Sequence, residues 1–259
     1  MNSHLRVTLV QTELAWQDAT ANRRGLAAHF RGLVGHTDLV VLPEMFSTGF
    51  SMDAESLAED MDGPTLGWMR EEAAALGFAI TGSLIVRDGD RCRNRLVWVR
   101  PDGSVEHYDK RHLFRMASEQ QHYAAGDRRL VVEVKGWRVC PMVCYDLRFP
   151  VWSRSRDDYD LLLYVANWPA RRAHAWSTLL RARAIENLCY VVGVNRVGRD
   201  GNGATYAGDS VAVDFLGQTL TSVGGGDRVE TAVLDLESLR AYRRDFPAHL
   251  DADRFELVS

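Results

Sequence analysis

Lysine is almost absent from this chain. Of 31 basic residues only Lys110 and Lys135 are lysines, and the rest are arginines. A compact ammonium and a planar guanidinium are not interchangeable, so a lysine kept against that bias marks a place that suits a point charge. Cysteine is also scarce. Four in 259 residues cannot make the dense disulfide framework of a small secreted domain, and Cys92, Cys140, Cys144 and Cys189 read as free thiols. No CxxC or HxxxH pair is present, which removes the usual zinc spacings, and no metal site is expected. No apolar run approaches the roughly 20 residues that cross a bilayer. The opening stretch lacks a charged head and apolar core of signal-peptide type, so neither membrane contact nor export is expected and a cytoplasmic location is. A net charge of −4 with no long basic run argues against nucleic-acid binding.

What is present is ordinary globular composition, 46% hydrophobic and 25% charged, in a chain long enough to bury a full core. "RVTLVQ", "TDLVVLPE" and "AITGSLIV" read as strands. "ANRRGLAAHFRGLVGH" and "GPTLGWMREEAAALGF" read as helices between them, the second with Thr65 as N-cap and Gly77 as stop. Pro101-Asp102-Gly103 marks a hairpin. The second half repeats the theme: strands at "WRVCPMVCYD", "DLLLYVANW" and "CYVVGVNRVG", with a helix at "RAHAWSTLLRARAIENL". Residues 208–236 read as successive hairpins turning on glycines, followed by a last helix at "ESLRAYRRDF". Two half-sheets of similar strand–helix units predict a layered α/β protein. No linker divides them, so residues 1–259 form one expected domain, with a core over about 5–236 and a C-terminal tail over 237–259.

In layered α/β folds ligands bind beyond the carboxyl ends of strands. Glu44 closes "VVLPE", Lys110 closes the hairpin at "YDK", and Cys144 closes "VCPMVC" ahead of Tyr145 and Asp146; Asn167 and Trp168 close "LLLYVANW". A thiol, a carboxylate and an ammonium at three strand ends make coherent chemistry if they meet. The ammonium favours a thiolate, the carboxylate takes and returns a proton, and Lys110 with the Tyr145 N–H can hold an oxyanion. Each also has a plainer reading: Cys144 as a small buried hydrophobe, Glu44 as the start of a solvated loop, Lys110 as part of an exposed charged turn.

These segments have a counterpart. "LPEMFSTGF", "YDKRHLF" and "VCYDLRFP" resemble the three signature segments of the nitrilase, or carbon–nitrogen hydrolase, superfamily, and "ANWPARRAHAWSTLLRARAIEN" resembles the stretch after its nucleophile. The resemblance runs from about Arg6 to Leu236. It implies a four-layer α-β-β-α sandwich that pairs as a homodimer through helices. It also implies a cofactor-free catalytic set of Glu44, Lys110 and Cys144, with Glu119, seven residues before Gly126, in a supporting role. Sulfur attacks an amide carbon, a thioester forms, and water hydrolyses it.

"PEMFSTGFSM" with "YDKRHLFRM" is most similar to the omega-amidase branch. That implies hydrolysis of the terminal amide of 2-oxo dicarboxylic acid monoamides, such as 2-oxoglutaramate and 2-oxosuccinamate, to the acid and ammonia. A substrate carboxylate suits a fork-like cation; Arg171 and Arg172 are the candidates, with Phe50 and Trp168 as pocket walls, while Arg148 is read as a brace for local backbone. Other carbon–nitrogen hydrolases, namely an N-carbamoyl amine hydrolase, an aliphatic amidase or a nitrilase, stay open. So do a Cys–His hydrolase using His112 or His122 and a non-enzymatic redox-sensing or binding protein built on Cys140 and Cys144.

Overall fold

The computed structural model describes residues 3–253 and 255–257. The first half runs β1 (His4–Gln11), α1 (Ala19–Phe30), β2 (Leu39–Val41), α2 (Ala54–Leu57), α3 (Pro64–Leu76), β3 (Ala79–Asp88), β4 (Arg91–Val99) and β5 (Val105–Asp109). There follow α4 (Glu119–His122), β6 (Val132–Val134), β7 (Trp137–Val143), α5 (Pro150–Ser153), β8 (Leu161–Ala166), α6 (Ala173–Asn187) and β9 (Tyr190–Asn195). The chain continues through β10 (Val197–Arg199), β11 (Thr205–Ala207), β12 (Val211–Val213), β13 (Thr219–Ser222), β14 (Arg228–Asp235) and α7 (Leu236–Asp245). Among the described residues no helix is long and apolar enough to cross a membrane.

Period-two alternation sets the layers. Leu39 and Val41 of β2 join Leu5, Val7 and Leu9 of β1 in the core between the two sheets, while Val40 and Leu42 pack under α1 and α3 with Leu26, Phe30, Leu66 and Met69. On the other side Trp176, Leu180 and Ala184 of α6 and Leu239 of α7 close over the second sheet. The result is the expected four-layer α-β-β-α sandwich. The first sheet is ordered β14-β1-β2-β3-β4-β5 and the second β13-β12-β9-β8-β7-β6.

Strand direction decides where chemistry gathers. β1, β2 and β3 are parallel, and β7, β8 and β9 are parallel; parallel neighbours need crossovers, which run through α1, α3, α5 and α6. β5 is antiparallel to β4, itself antiparallel to β3, so β5 ends at the same edge as β2. The residues after β2 and β5 thus emerge together, as do those after β7 and β8.

Three local expectations give way. α1 stops at Phe30, six residues short of the predicted end; Leu33 is buried in the turn that follows and Val34 stands exposed. Thr65 is inside α3 rather than capping it, because Pro64 takes the first helical position and leaves Gly63 as the cap; the Thr65 hydroxyl donates to Glu59 instead, at 2.6 Å. The glycine-rich C-terminal hairpins are only half present. β12 pairs with β13, but β14 crosses to the first sheet and zips antiparallel along all of β1, from His4 opposite Asp235 to Gln11 opposite Arg228. Its alternation puts Ala232 and Leu234 into the inter-sheet core, burial that a local hairpin would forfeit.

A polar clamp ties the layers. Asp38, just ahead of β2, accepts from Arg6 of β1 and from Lys135 Nζ at 2.9 Å. Lys135 and Gly136 form the two-residue turn between β6 and β7 at φ of 50° and 81°, so this lysine reaches from the second sheet to the first.

Candidate active site

Glu44 leaves β2 through Pro43 and is fully buried, as are Lys110 and Glu119. Neither the solvated-loop reading of Glu44 nor the exposed-turn reading of Lys110 survives. Lys110 Nζ donates to Glu44 Oε1 at 2.9 Å and to both oxygens of Glu119 at 3.0 and 2.9 Å. Asn94 Nδ2, from β4, reaches Glu44 at 2.8 Å and Glu119 at 3.2 Å. The Phe114 N–H adds 2.6 Å to Glu119, and the Asn167 N–H adds 2.9 Å to Glu44. Every contact into the two carboxyl groups is a donor, which suits their acceptor oxygens; burial, helped by the Glu44 charge and opposed by Lys110, pushes the Glu119 carboxyl upward. Gly126 shows why a glycine follows Glu119. Its N–H donates to the Lys110 carbonyl at 2.9 Å, and an added Cβ would stand 2.2 Å from the Asp109 carbonyl oxygen. The segment around Gly126 therefore lies directly against the end of β5 and fixes Lys110 from behind.

Cys144 follows the last residue of β7 and sits at φ 46°. A left-handed backbone is unfavourable for a non-glycine residue and is held only where the surroundings over-determine it. Asp146 supplies the restraint. Its Oδ2 accepts from the Val143 N–H at 3.0 Å and from the Tyr108 hydroxyl at 2.7 Å; its Oδ1 accepts from the His112 N–H at 2.9 Å and lies 2.8 Å from His112 Nδ1. The strand end before the cysteine and the segment after Lys110 are thereby pinned to one carboxylate. Tyr145 falls in the first turn beyond Cys144, where N–H groups have no helical acceptor.

Two carboxyl groups share one ammonium in the buried cluster. Burial, then the Glu44 charge, push the Cys144 thiol well above its ordinary value, and Lys110 only partly offsets them. The direction favours a protonated thiol at rest, so the pull of the ammonium toward a thiolate is outweighed and the proton is there for Glu44 to accept. Lys110 itself is driven upward by Glu119 and Glu44, whose charges outweigh the opposing effect of burial, so it stays an ammonium.

A small cavity of about 50 Å³ opens onto the sulfur, walled by Phe50, Phe114, Trp168 and Tyr206. Phe50 lies 5.2 Å from Lys110 Nζ. Arg172 lines the cavity with its guanidinium 5.1 Å above the Phe114 ring, and Arg148 lines it 4.9 Å above Trp168. Among the described residues neither guanidinium has a carboxylate partner. Arg171 stands outside, 3.6 Å from the sulfur of Met116. Of the two arginines expected from the sequence, Arg172 therefore lines the cavity and Arg171 does not, while Arg148, read from the sequence as a backbone brace, lines it because the turn after Cys144 aims residue 148 at Trp168.

His112 is bound to Asp146 and stacked on Phe149 at 3.8 Å, and His122 is exposed; neither lines the cavity. The Cys–His alternative therefore has no geometry behind it. Cys140 is sealed in the core with its thiol pushed up to about 12 by burial, poorly placed for a redox pair with Cys144. Asn94, Asp146, Phe114 and Tyr206 received no role from the sequence. Asn94 interrupts an otherwise strand-like run, the one signal available, and Tyr206 is a lone aromatic in the short strand β11 between glycines.

The chain belongs to the carbon-nitrogen hydrolase family, whose sequence pattern matches residues 6–244. Within that class it is 51% identical to the omega-amidase YafV of Yersinia enterocolitica, over 99% of this chain and 100% of that protein. It is 31% identical to the 2-oxoglutaramate amidase of Bacillus subtilis, over 83% of this chain and 85% of that one. Among solved structures it is similar to XC1258 of Xanthomonas campestris, a CN-hydrolase superfamily protein with an arsenic adduct in its active site. That similarity has a TM-score of 0.97 and 53% identity, covering 98% of this chain and 99% of the other.

Proposed function

We propose that this chain hydrolyses the terminal amide of small 2-oxo dicarboxylic acid monoamides, with 2-oxoglutaramate and 2-oxosuccinamate as the substrates to try first. Cys144 is the nucleophile and Glu44 the base. Because the thiol is neutral at rest, its proton passes to Glu44 as sulfur attacks the amide carbon. The oxyanion that forms is held by the Tyr145 N–H and by Lys110, which keeps an N–H for it when Glu119 takes another in a bifurcated bond. Collapse expels ammonia with the proton returned by Glu44, leaving a thioester on Cys144. Glu44 then activates the water that releases the acid. Glu119 touches no reacting atom in this scheme and positions Lys110.

The observation that carries the substrate class is the pair of unpartnered guanidiniums, Arg148 and Arg172, in the same cavity as Cys144. Two cations stacked on aromatic rings, with no carboxylate among the described residues to answer them, fit a substrate that brings its own. The names carried by the relatives support the same class. The test is ammonia release from 2-oxoglutaramate, a neutral amide of similar length, an N-carbamoyl compound and a nitrile. Turnover should be greatest on 2-oxoglutaramate, and Arg148→Gln and Arg172→Gln should each raise KM for it about tenfold while changing the neutral amide little. Equal turnover of neutral and anionic amides by the unaltered enzyme would sink the substrate assignment.

The chain also acts on this reading as a homodimer. Val151 of α5 and Ile185 of α6, on the outer helices, stand 51% and 53% exposed, which supports pairing there; light scattering giving the mass of one chain would exclude it.

A further inference from the structure

Among the described residues several buried side-chain polar atoms lack a partner, and only Asn167 Oδ1 belongs to a residue lining the reaction cavity. Asn167 is 4% exposed, and its other polar groups are committed. Its N–H donates to Glu44 Oε2 at 2.9 Å, its Nδ2 to the Glu44 carbonyl at 2.5 Å, and its own carbonyl lies 4.0 Å from the Cys144 sulfur. The orientation of the side chain is fixed by chemistry: a main-chain carbonyl only accepts, so the atom facing it is the nitrogen and the free atom is the oxygen. A buried acceptor without a donor is costly. Beside a catalytic cavity, an acceptor left unmatched points to a donor that arrives with the ligand and the small shift that admits it.

We infer that Asn167 Oδ1 accepts a hydrogen bond from the N–H of the substrate's amide and thereby selects leaving groups that carry N–H. The placement follows from what Asn167 already touches. The nitrogen of an amide whose carbon is within reach of the sulfur, and which is to be protonated by Glu44, lies beside the residue bonded to both. A primary amide presents two donors there. An ester oxygen or a nitrile nitrogen presents only lone pairs, so acceptor would face acceptor and such substrates are disfavoured. Asn167 is thus a specificity-determining residue that separates amides from nitriles and esters at a site whose thiol could attack all three. The inference rests on the amide-hydrolase reading above.

The experiment compares kcat/KM for the terminal amide and the terminal methyl ester of the same 2-oxo dicarboxylic acid, in the unaltered enzyme, Asn167→Leu and Asn167→Asp. Loss of the Nδ2 bond to Glu44 disturbs both substrates and cancels in the amide-to-ester ratio. That ratio should fall about tenfold or more in Asn167→Leu, which keeps the volume and removes the acceptor. It should stay within about threefold of the original in Asn167→Asp, which keeps an acceptor and removes the donor. An unchanged ratio in the leucine variant, or an equal fall in both variants, overturns the inference. An unaltered enzyme that hydrolyses neither compound overturns the amide-hydrolase reading instead, so the two failures are distinguishable.

Discussion

Glu44 is asked to do two opposed things. In the proposed scheme it must accept the Cys144 proton, yet its charge is one reason the thiol holds that proton so firmly. Separating the two effects gives a sharp expectation for Glu44→Gln. Turnover should fall by at least about a thousandfold, because no base remains for attack or for thioester hydrolysis. At the same time the sulfur should become easier to alkylate: with Glu44 uncharged, the cluster of Lys110 and Glu119 is neutral and the thiol moves down toward its ordinary range. The rate of iodoacetamide labelling against pH, measured beside ammonia release, should therefore rise at lower pH than in the unaltered enzyme. A labelling profile that stays put would show that burial alone sets the thiol. The sequence disclosed the identity of these residues because they stand at strand ends, where polar side chains are conspicuous. It did not disclose the sign of the thiol's shift, since that depends on two carboxylates and one ammonium being walled off together.

At the level of elements, the turn after β7 is the part with least slack. One carboxylate, Asp146, receives the strand end, the Tyr108 hydroxyl from β5 and both nitrogens that His112 offers. Asp146→Asn keeps the volume but turns a donor group toward donors. It should cost about 1–3 kcal/mol of stability, read from urea unfolding, and lower kcat more than KM as Cys144 relaxes from its left-handed conformation. A variant as stable and as fast as the original would mean the turn is held by something else. The elements themselves were mostly legible from alternation and turn residues. What escaped was long-range: β14 leaves its neighbours for β1 across the whole chain, and no local pattern announces the partner of an edge strand. The swap of Arg171 for Arg148 has the same origin, because a backbone turn, rather than proximity in sequence, decides which guanidinium enters the cavity.

For the molecule as a whole, the clamp at Asp38 ties acid sensitivity to the joining of the two sheets. Burial would raise this carboxyl, but the bonds from Arg6 and Lys135 outweigh it and hold it down at about 2, against an ordinary value of 3.8. A carboxyl held low stabilises the fold at every pH above its ordinary value, and that contribution drains away as pH falls toward the lowered one. The advantage of the unaltered protein over Asp38→Asn should thus be constant from neutrality down to about pH 4 and shrink below it. Urea midpoints taken in steps down to the last pH at which the protein is folded would check this; an advantage already gone at about pH 5.5 would remove Asp38 as the source.

The scarcity of lysine then has a practical side. One ammonium is sealed at the bottom of the cavity and the other, Lys135, is engaged with Asp38 but still 37% open along its side chain. Amine-directed reagents such as succinimidyl esters therefore find one side chain to modify, at the turn between β6 and β7, away from the residues that wall the reaction chamber. A dye or a solid support attached at that side chain would leave the catalytic end of the sandwich unobstructed.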